Sequence, residues 1–386
     1  MPADICAKDL CTGCGACAVA CPKQCISLKP DAQGHLLAVI TEKACINCNL
    51  CRKICPVNTP VVTHEPQACY AGWAKEAKDR HTSSSGAAAS VFSAHIIERG
   101  GVVYGAALQD NQIAHIRITH ATDLPRLKGS KYVYSYACGV YAQIKQDLAE
   151  GKKVLFTGTS CQNAAVYNLI GENPNLILVN LICHGVPSMQ MLKDHLKAKN
   201  ITEIKQIQFR TDNKYELSCN EYKGSRKHLP DAYMPLFLKG ITCRSSCYKC
   251  PYAKPERVGD ITLGDFWGLG KKTPFKGGEV TKGCSVIIVN TEKGAALLNA
   301  CADKLCLFKR EYQEAVSGNA QLRGPVPYGR SVKLFNKFYP LMSFGAAAYL
   351  AGGFVLFKAF GKGILEQYAP KSVTQGCMRF YQRIKR

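Results

Sequence analysis

Acidic residues are scarce in this sequence: 28 Asp and Glu stand against 50 Lys and Arg in 386 residues, a formal charge of +22. Charged residues of both signs make up only 20%, while hydrophobic residues reach 47%. That balance excludes an intrinsically disordered chain and a collagen-like or low-complexity one. An apolar leader is also missing. Asp4, Lys8 and Asp9 interrupt the start where a signal peptide needs an apolar stretch, so the chain is expected to stay in the cytoplasm. Disulfides are not expected in that reducing compartment, yet the sequence holds 22 cysteines. Cysteines in such number point to metal ligands or redox chemistry wherever their spacing supports it. The length calls for two or more domains with ample buried core.

Cys11, Cys14, Cys17 and Cys21-Pro22 form C-x2-C-x2-C-x3-C-P, and Cys45, Cys48, Cys51 and Cys55-Pro56 repeat it 34 positions later. This is the run of bacterial two-cluster ferredoxins, in which the fourth cysteine of each run crosses to the other cluster. One 4Fe-4S cluster is therefore expected on Cys11, Cys14, Cys17 and Cys55, and the other on Cys45, Cys48, Cys51 and Cys21. Zinc sites pair two C-x2-C knuckles instead, and a duplicated four-cysteine run is hard to reach by chance. Cys6 and Cys25 fall outside the runs and read as small apolar fillers.

Cys243, Cys247 and Cys250 form a third group, C-x3-C-x2-C, which leaves one coordination site of a cubane to be filled from elsewhere. Radical S-adenosylmethionine enzymes share this spacing. They place it early in a barrel with an aromatic residue before the third cysteine, whereas here Lys249 holds that place and only 136 residues follow Cys250. A third cubane is the favoured reading over radical chemistry or a zinc knuckle.

Pro56 to Pro66 reads as a linker, and residues 87–99 as a helix ended by Gly100-Gly101 and followed by two strands. From Val140 the pattern is helix, strand at 153–157, helix opened at Gly158 to Gln162, strand at Leu176 to Ile182, turn at Cys183 to Ser188, and helix from Met189. Strand–helix–strand crossovers of this length indicate parallel pairing in an α/β sheet. Ligands bind such sheets at the carboxyl ends of the strands, where helix N-termini favour anions. Cys161 and Cys183 sit at two such ends, and either one can complete the cluster begun by Cys243, Cys247 and Cys250. Asp265, beside a glycine turn, is a candidate to hydrogen-bond a ribityl or sugar hydroxyl, although turns also use Asp locally.

Taken in order, Ser83 to Gly86, Gly129 to Val133, Phe156 to Gln162, Ile182 to Ser188, Cys243 to Cys250 and Asp260 to Gly268 resemble the beta subunits of the coenzyme F-420 hydrogenase/dehydrogenase family. The resemblance implies an iron–sulfur flavoprotein with FAD in the α/β domain. By position, Ser84, Ser85, Gly86 and Lys131 become candidate flavin contacts, and Thr157, Gly158 and Thr159 candidate phosphate contacts. Ser160 and Asn180 depart from the family's usual Pro and Asp, which leaves the substrate open. The expected architecture is an α/β multidomain chain. It has a small α+β ferredoxin-like domain (1–60), a linker (61–68), a larger α/β FAD and iron–sulfur domain with a partly parallel sheet (69–340), and a basic C-terminal helical extension (341–386).

The expected function is an oxidoreductase. Clusters exchange single electrons while organic substrates change by a hydride, so a flavin is the natural converter between a low-potential donor and an organic substrate or deazaflavin. His184 is a candidate proton donor, with a turn-capping role as its structural alternative. A second class is a non-catalytic relay docked on a separate catalytic protein. In either case the expected partners are a redox protein and a small molecule, not nucleic acid, for no recognition module accompanies the charge. Seventeen uncharged residues run from Leu341 to Phe357, the short limit for a span, and residues 327–386 hold ten basic residues against one acidic. A packed terminal helix, with peripheral contact to the inner face of the membrane as the alternative, is the expectation there.

Overall fold

The computed structural model describes residues 4–211, 214–224 and 231–368. Its N-terminal part is built from two matching cysteine loops. Each loop ends in a single helical turn, Ala16–Val19 and Leu50–Lys53, and each has two residues in left-handed backbone at equivalent positions. These are Gly13 and Gly15 (φ +67° and +80°) in the first loop and Asn47 and Asn49 (φ +55° and +60°) in the second. Glycine pays no Cβ penalty there, and asparagine is the side chain that tolerates it best. An antiparallel hairpin, β1 (Ile26–Pro30) and β2 (Leu36–Ile40), joins the loops.

The rest is mixed α/β. In chain order come β3 (Ala68–Ala74), β4 (Val102–Gln109), β5 (Gln112–Ile118), β6 (Val154–Thr159) and β7 (Leu176–Leu181). There follow a small antiparallel sheet of β8 (Ile207–Thr211), β9 (Lys214–Cys219) and β10 (Tyr222–Lys223), and then β11 (Ile261–Asp265), β12 (Ser285–Val289) and β13 (Leu305–Arg310). The large sheet has the order β13-β3-β12-β11-β7-β6-β4-β5. Its four inner strands β4, β6, β7 and β11 are parallel, and antiparallel strands flank them on both sides. The expected partly parallel sheet is therefore present. The strands β3, β12 and β13, which the sequence reading did not mark, extend it.

Alternation along the strands divides the core between two faces. Val103, Leu155, Ile177, Val179 and Ile287 pack against helices Ala88–Glu98 and Glu292–Ala300, while Tyr104, Val154, Phe156 and Leu178 pack with Tyr141, Ile144, Ala165 and Ala16. Ala16 is on the first cysteine loop, so that loop is docked on the sheet's helical layer. A separate core gathers helices Met189–Lys197 and Tyr233–Leu238, the small sheet and the C-terminal helix Phe344–Tyr368, which is broken at Gly352. No helix among the described residues is long and apolar enough to cross a membrane. Lys371, Arg379, Arg383, Lys385 and Arg386 lie outside the described residues.

Candidate functional site

The N-terminal cysteines line two cavities in the crossed arrangement. Cys11, Cys14, Cys17 and Cys55 face one, and Cys21, Cys45, Cys48 and Cys51 the other; counted to their open mouths these enclose about 340 and 400 Å³. The first lies against the body of the protein. An added Cβ on Gly15 would stand 2.3 Å from the Cys138 Cβ, and one on Gly13 would stand 2.6 Å from the Leu36 carbonyl oxygen. The second faces outward, with Cys48 exposed between Ile46 (57% exposed) and Leu50 (43%).

Cys6 and Cys25, read from sequence as fillers, each stand beside a cage. Cys6 lines the cavity with Cys11 and Cys55 and interacts with both thiols, which lowers their pKa values and raises its own. Cys25 lies with its Sγ 3.4 Å from that of Cys21, and that hydrogen bond raises it to about 11. Each cavity is thus lined by five thiols where the spacing showed four.

The third group also has five members. Cys183, just past β7, lies close enough to Cys243, Cys247 and Cys250 to interact electrostatically, and Cys161, at the start of helix Ser160–Ile170, interacts with Cys183, Cys247 and Cys250. Burial pushes all five thiols up, Cys250 to about 11 and Cys247 to about 12. The chain leaves room for them at Gly185 (φ +112°), where a Cβ would sit 2.6 Å from the Cys243 Sγ. Cys161 also interacts with Cys14 of the first cage. The three thiol groups therefore follow one another from the outer loop inward. Among the described residues every cysteine is free of a disulfide, and no three Cys, His, Asp or Glu converge tightly enough for a single metal ion.

The crevice expected from the sequence falls at the carboxyl ends of the parallel strands β6, β7 and β11. Thr157, Gly158 and Thr159 close β6, with Thr159 starting the next helix through a reciprocal capping box with Gln162. Leu181, at the end of the central strand β7, is left 37% exposed. On the far wall the Ser85 hydroxyl accepts from the Ser285 hydroxyl (3.4 Å), and the Gly86 N–H donates to the same Ser285 oxygen (3.0 Å). A Cβ at Gly86 would meet the Gly72 carbonyl at 2.2 Å. Ser84 accepts from the backbone N–H of Ser130 (2.6 Å), bringing the 83–86 and 129–131 loops together. Lys131 donates to the carbonyls of Arg126, Leu127 and Lys128, and burial pulls its ammonium down to about 7. Lys131 also interacts with His115, whose Nε2 reaches the Thr157 carbonyl at 3.0 Å.

Asp265, at the end of β11, is ion-paired with Arg210 (2.7 Å) and accepts from the Tyr215 hydroxyl (3.3 Å). Tyr215 stacks on the half-exposed Trp267 at 6.3 Å and tilts against Tyr132 at 5.7 Å. This aromatic wall was not read from the sequence, since β8 and β9 lie more than forty residues from Asp265 along the chain. His184 has both ring nitrogens engaged: Nε2 donates to the Phe237 carbonyl (3.1 Å), so Nδ1 accepts from the Gln321 amide (3.1 Å). Burial lowers its pKa. Asn180 is wholly buried, donating to Thr262 and accepting from the Gly259 N–H.

Residues 151–314 match the C terminus of the beta subunit of coenzyme F420 hydrogenase/dehydrogenase, and residues 10–59 match a 4Fe-4S dicluster domain. Over 225 residues, 54% of this chain, the sequence is 24% identical to a subunit of the F(420)H(2) dehydrogenase of Methanosarcina mazei. The chain spans 64% of the length of that relative. A chain of the F420-reducing [NiFe] hydrogenase complex from Methanosarcina barkeri aligns with 68% of this one and 91% of its own length, at 16% identity and a TM-score of 0.48.

Proposed function

We propose that this chain, a homologue of an F420H2 dehydrogenase subunit and the bearer of a 4Fe-4S dicluster domain ahead of its hydrogenase-like region, is an iron–sulfur flavoprotein oxidoreductase working between a one-electron protein donor and a deazaflavin or similar hydride carrier. The single observation that carries this reading is the succession of sites: an exposed thiol cage, a docked one, a buried five-thiol group, and a crevice two residues from two of those thiols. The domain division that fits it is 1–60, 61–68, 69–340 and 341–386.

The cages suit 4Fe-4S clusters on Cys11, Cys14, Cys17 and Cys55, on Cys21, Cys45, Cys48 and Cys51, and on Cys243, Cys247 and Cys250. We assign the last fourth place to Cys183, which interacts with all three motif cysteines, and leave Cys161 facing Cys14. The crevice suits FAD: hydroxyls of Ser84, Ser85, Thr157 and Thr159, the Gly86 and Gly158 backbone and the Lys131 ammonium match phosphate and ribityl oxygens, and Asp265 a hydroxyl donor. Bound there, these groups supply one-electron exchange and its conversion to hydride transfer.

The residues hold and orient. Arg210 fixes the Asp265 carboxylate, Trp267 and Tyr215 offer a flat apolar wall to a ring system, and His184 ties the Cys183 turn to helix Tyr233–Leu238. Ile46 and Leu50 give the outer cage an apolar rim for a donor protein. The exposed apolar residues of the C-terminal helix, in a stretch (327–386) whose sequence holds ten basic residues against one acidic, suit peripheral contact with an anionic membrane.

Iron, sulfide and flavin analysis of the anaerobically purified protein tests the reading. About 12 iron atoms and one FAD per chain are expected. Hydride transfer to a deazaflavin from protein reduced with viologen is the activity expected. Clusters without bound flavin or hydride transfer would identify a bare electron relay instead.

A further inference from the structure

Arg244 is the largest of the fully buried side chains, 2% exposed, and among the described residues it makes no ion pair. Its Nη1 donates to the carbonyls of Leu36 (2.8 Å) and Cys11 (3.4 Å), on the hairpin and the first cysteine loop. Nε and Nη2 have no hydrogen-bond partner. Below the guanidinium lies the Tyr134 ring at 5.1 Å, and the Tyr134 hydroxyl donates to the Gly13 carbonyl (2.6 Å) of the same loop. The Arg244 backbone belongs to the other side. It follows Cys243 directly, its N–H donates to Val186 (3.0 Å), and its carbonyl accepts from the Cys247 N–H (2.9 Å).

A buried cation without a carboxylate is costly unless negative charge lies close by. What lies close by is sulfur. Nη1 reaches the carbonyl of Cys11 itself, and the Arg244 backbone lies between Cys243 and Cys247, accepting the N–H of the latter. The guanidinium's hydrogen bonds go to Cys11 and Leu36, neither of which lines the cavity of Cys21, Cys45, Cys48 and Cys51.

We propose that Arg244 is the shared counter-charge of the docked N-terminal cage and the Cys243 cage, raising the reduction potentials of the groups bound in both and leaving the outer cage untouched. The inference rests on the three-cluster reading above. Reduction adds one electron and one negative charge to a four-thiolate cluster without moving a proton. A fixed cation favours that more negative state, and its placement between two cages lets it act on both. Arginine suits the place because it stays charged when buried. Its second role is mechanical, holding the first loop to the Cys243 motif.

The test is an EPR-monitored redox titration of the full-length holoprotein, with Cys48→Ser identifying the outer cluster's signal. Arg244→Gln is expected to lower the reduction equilibrium of the two inner clusters at least tenfold each, about 59 mV for a one-electron couple, and to leave the outer cluster unmoved. Arg244→Lys is expected to keep all three close to wild type. Where Arg244→Gln does not accumulate, His35→Glu, which sets a carboxylate near the guanidinium, carries the same expectation for the same two clusters. Unchanged inner potentials, or equal shifts in the Gln and Lys variants, overturn the proposal. Iron content is measured alongside, so that fewer than three clusters in the parent protein is recognised as failure of the functional reading and not of this one.

Discussion

At the level of single residues, the two cysteine loops differ where the protein touches one and not the other. Both need left-handed backbone at the same two places. The docked loop uses Gly13 and Gly15, because a Cβ would strike Leu36 and Cys138, while the outward loop uses Asn47 and Asn49. Gly15→Ala, which combines positive φ with a 2.3 Å clash, is expected to cost about 2–4 kcal/mol and to lose iron from the inner cage, whereas Asn49→Gly stays within about 0.5 kcal/mol. Chemical denaturation with iron analysis measures both. The glycine–asparagine difference was open to a reader of the sequence. Arg244, Tyr132, Arg210 and Tyr215 were not, because their meaning lies in contacts across the fold and not in spacing. Lys131 gives a pH prediction. Its ammonium, brought to about 7 by burial, is lost as pH rises through that value, and an anion bound beside it favours the charged form. Flavin affinity is therefore expected to hold below pH 7 and to weaken by up to tenfold per unit above it. Titration calorimetry of the apoprotein with FAD checks this, and Lys131→Met should remove the pH dependence together with some affinity.

Among the elements, the helix–strand alternation from Val102 to Lys197 was legible because Gly, Pro and capping residues punctuate it and the crossover fixes parallel pairing. The strands β3, β12 and β13 escaped notice. Ser285–Val289 is buried at every position and so lacks the period-two pattern, and these outer strands join the sheet antiparallel from distant parts of the chain. The C-terminal helix, expected as a packed terminal helix, is packed on one side only. Phe344, Ala347, Ala348 and Ala351 enter the second core, while Leu350, before the break at Gly352, and Phe354 and Phe357, one turn apart after it, are 57%, 69% and 73% exposed. Each phenylalanine buried in a lipid interface contributes on the order of 1.5–3 kcal/mol. Phe354→Glu/Phe357→Glu is accordingly expected to reduce binding to vesicles rich in anionic lipid by more than tenfold without change in iron content. Added salt should weaken the wild-type protein in the same assay. Wild-type protein that stays in the supernatant at low salt would remove the membrane role and leave a protein partner for these side chains.

Across the whole molecule, the order of the sites is more informative than any one of them. The outer cage is open to solvent, the inner cage is pinned to the α/β body by Ala16, Gly15 and Arg244, and the five-thiol group lies between that cage and the crevice. Such an order makes the Cys243 group a bottleneck, because the remaining thiols and the crevice then belong to separate halves. On the proposed assignment, Cys247→Ser removes a ligand that neither the N-terminal cavities nor the crevice uses. Iron is expected to fall from about 12 to about 8 per chain, with both N-terminal EPR signals and the flavin retained. Stopped-flow measurements then separate the halves. Flavin reduction by a one-electron protein donor should slow at least a hundredfold, while reduction of the same flavin by a reduced deazaflavin stays within about threefold of wild type, since hydride exchange in the crevice uses none of the lost ligands. Equal slowing of both reactions would mean that the substitution damages the crevice itself. Unchanged reduction by the protein donor would mean that electrons enter beside the crevice, and that the N-terminal cages serve another partner.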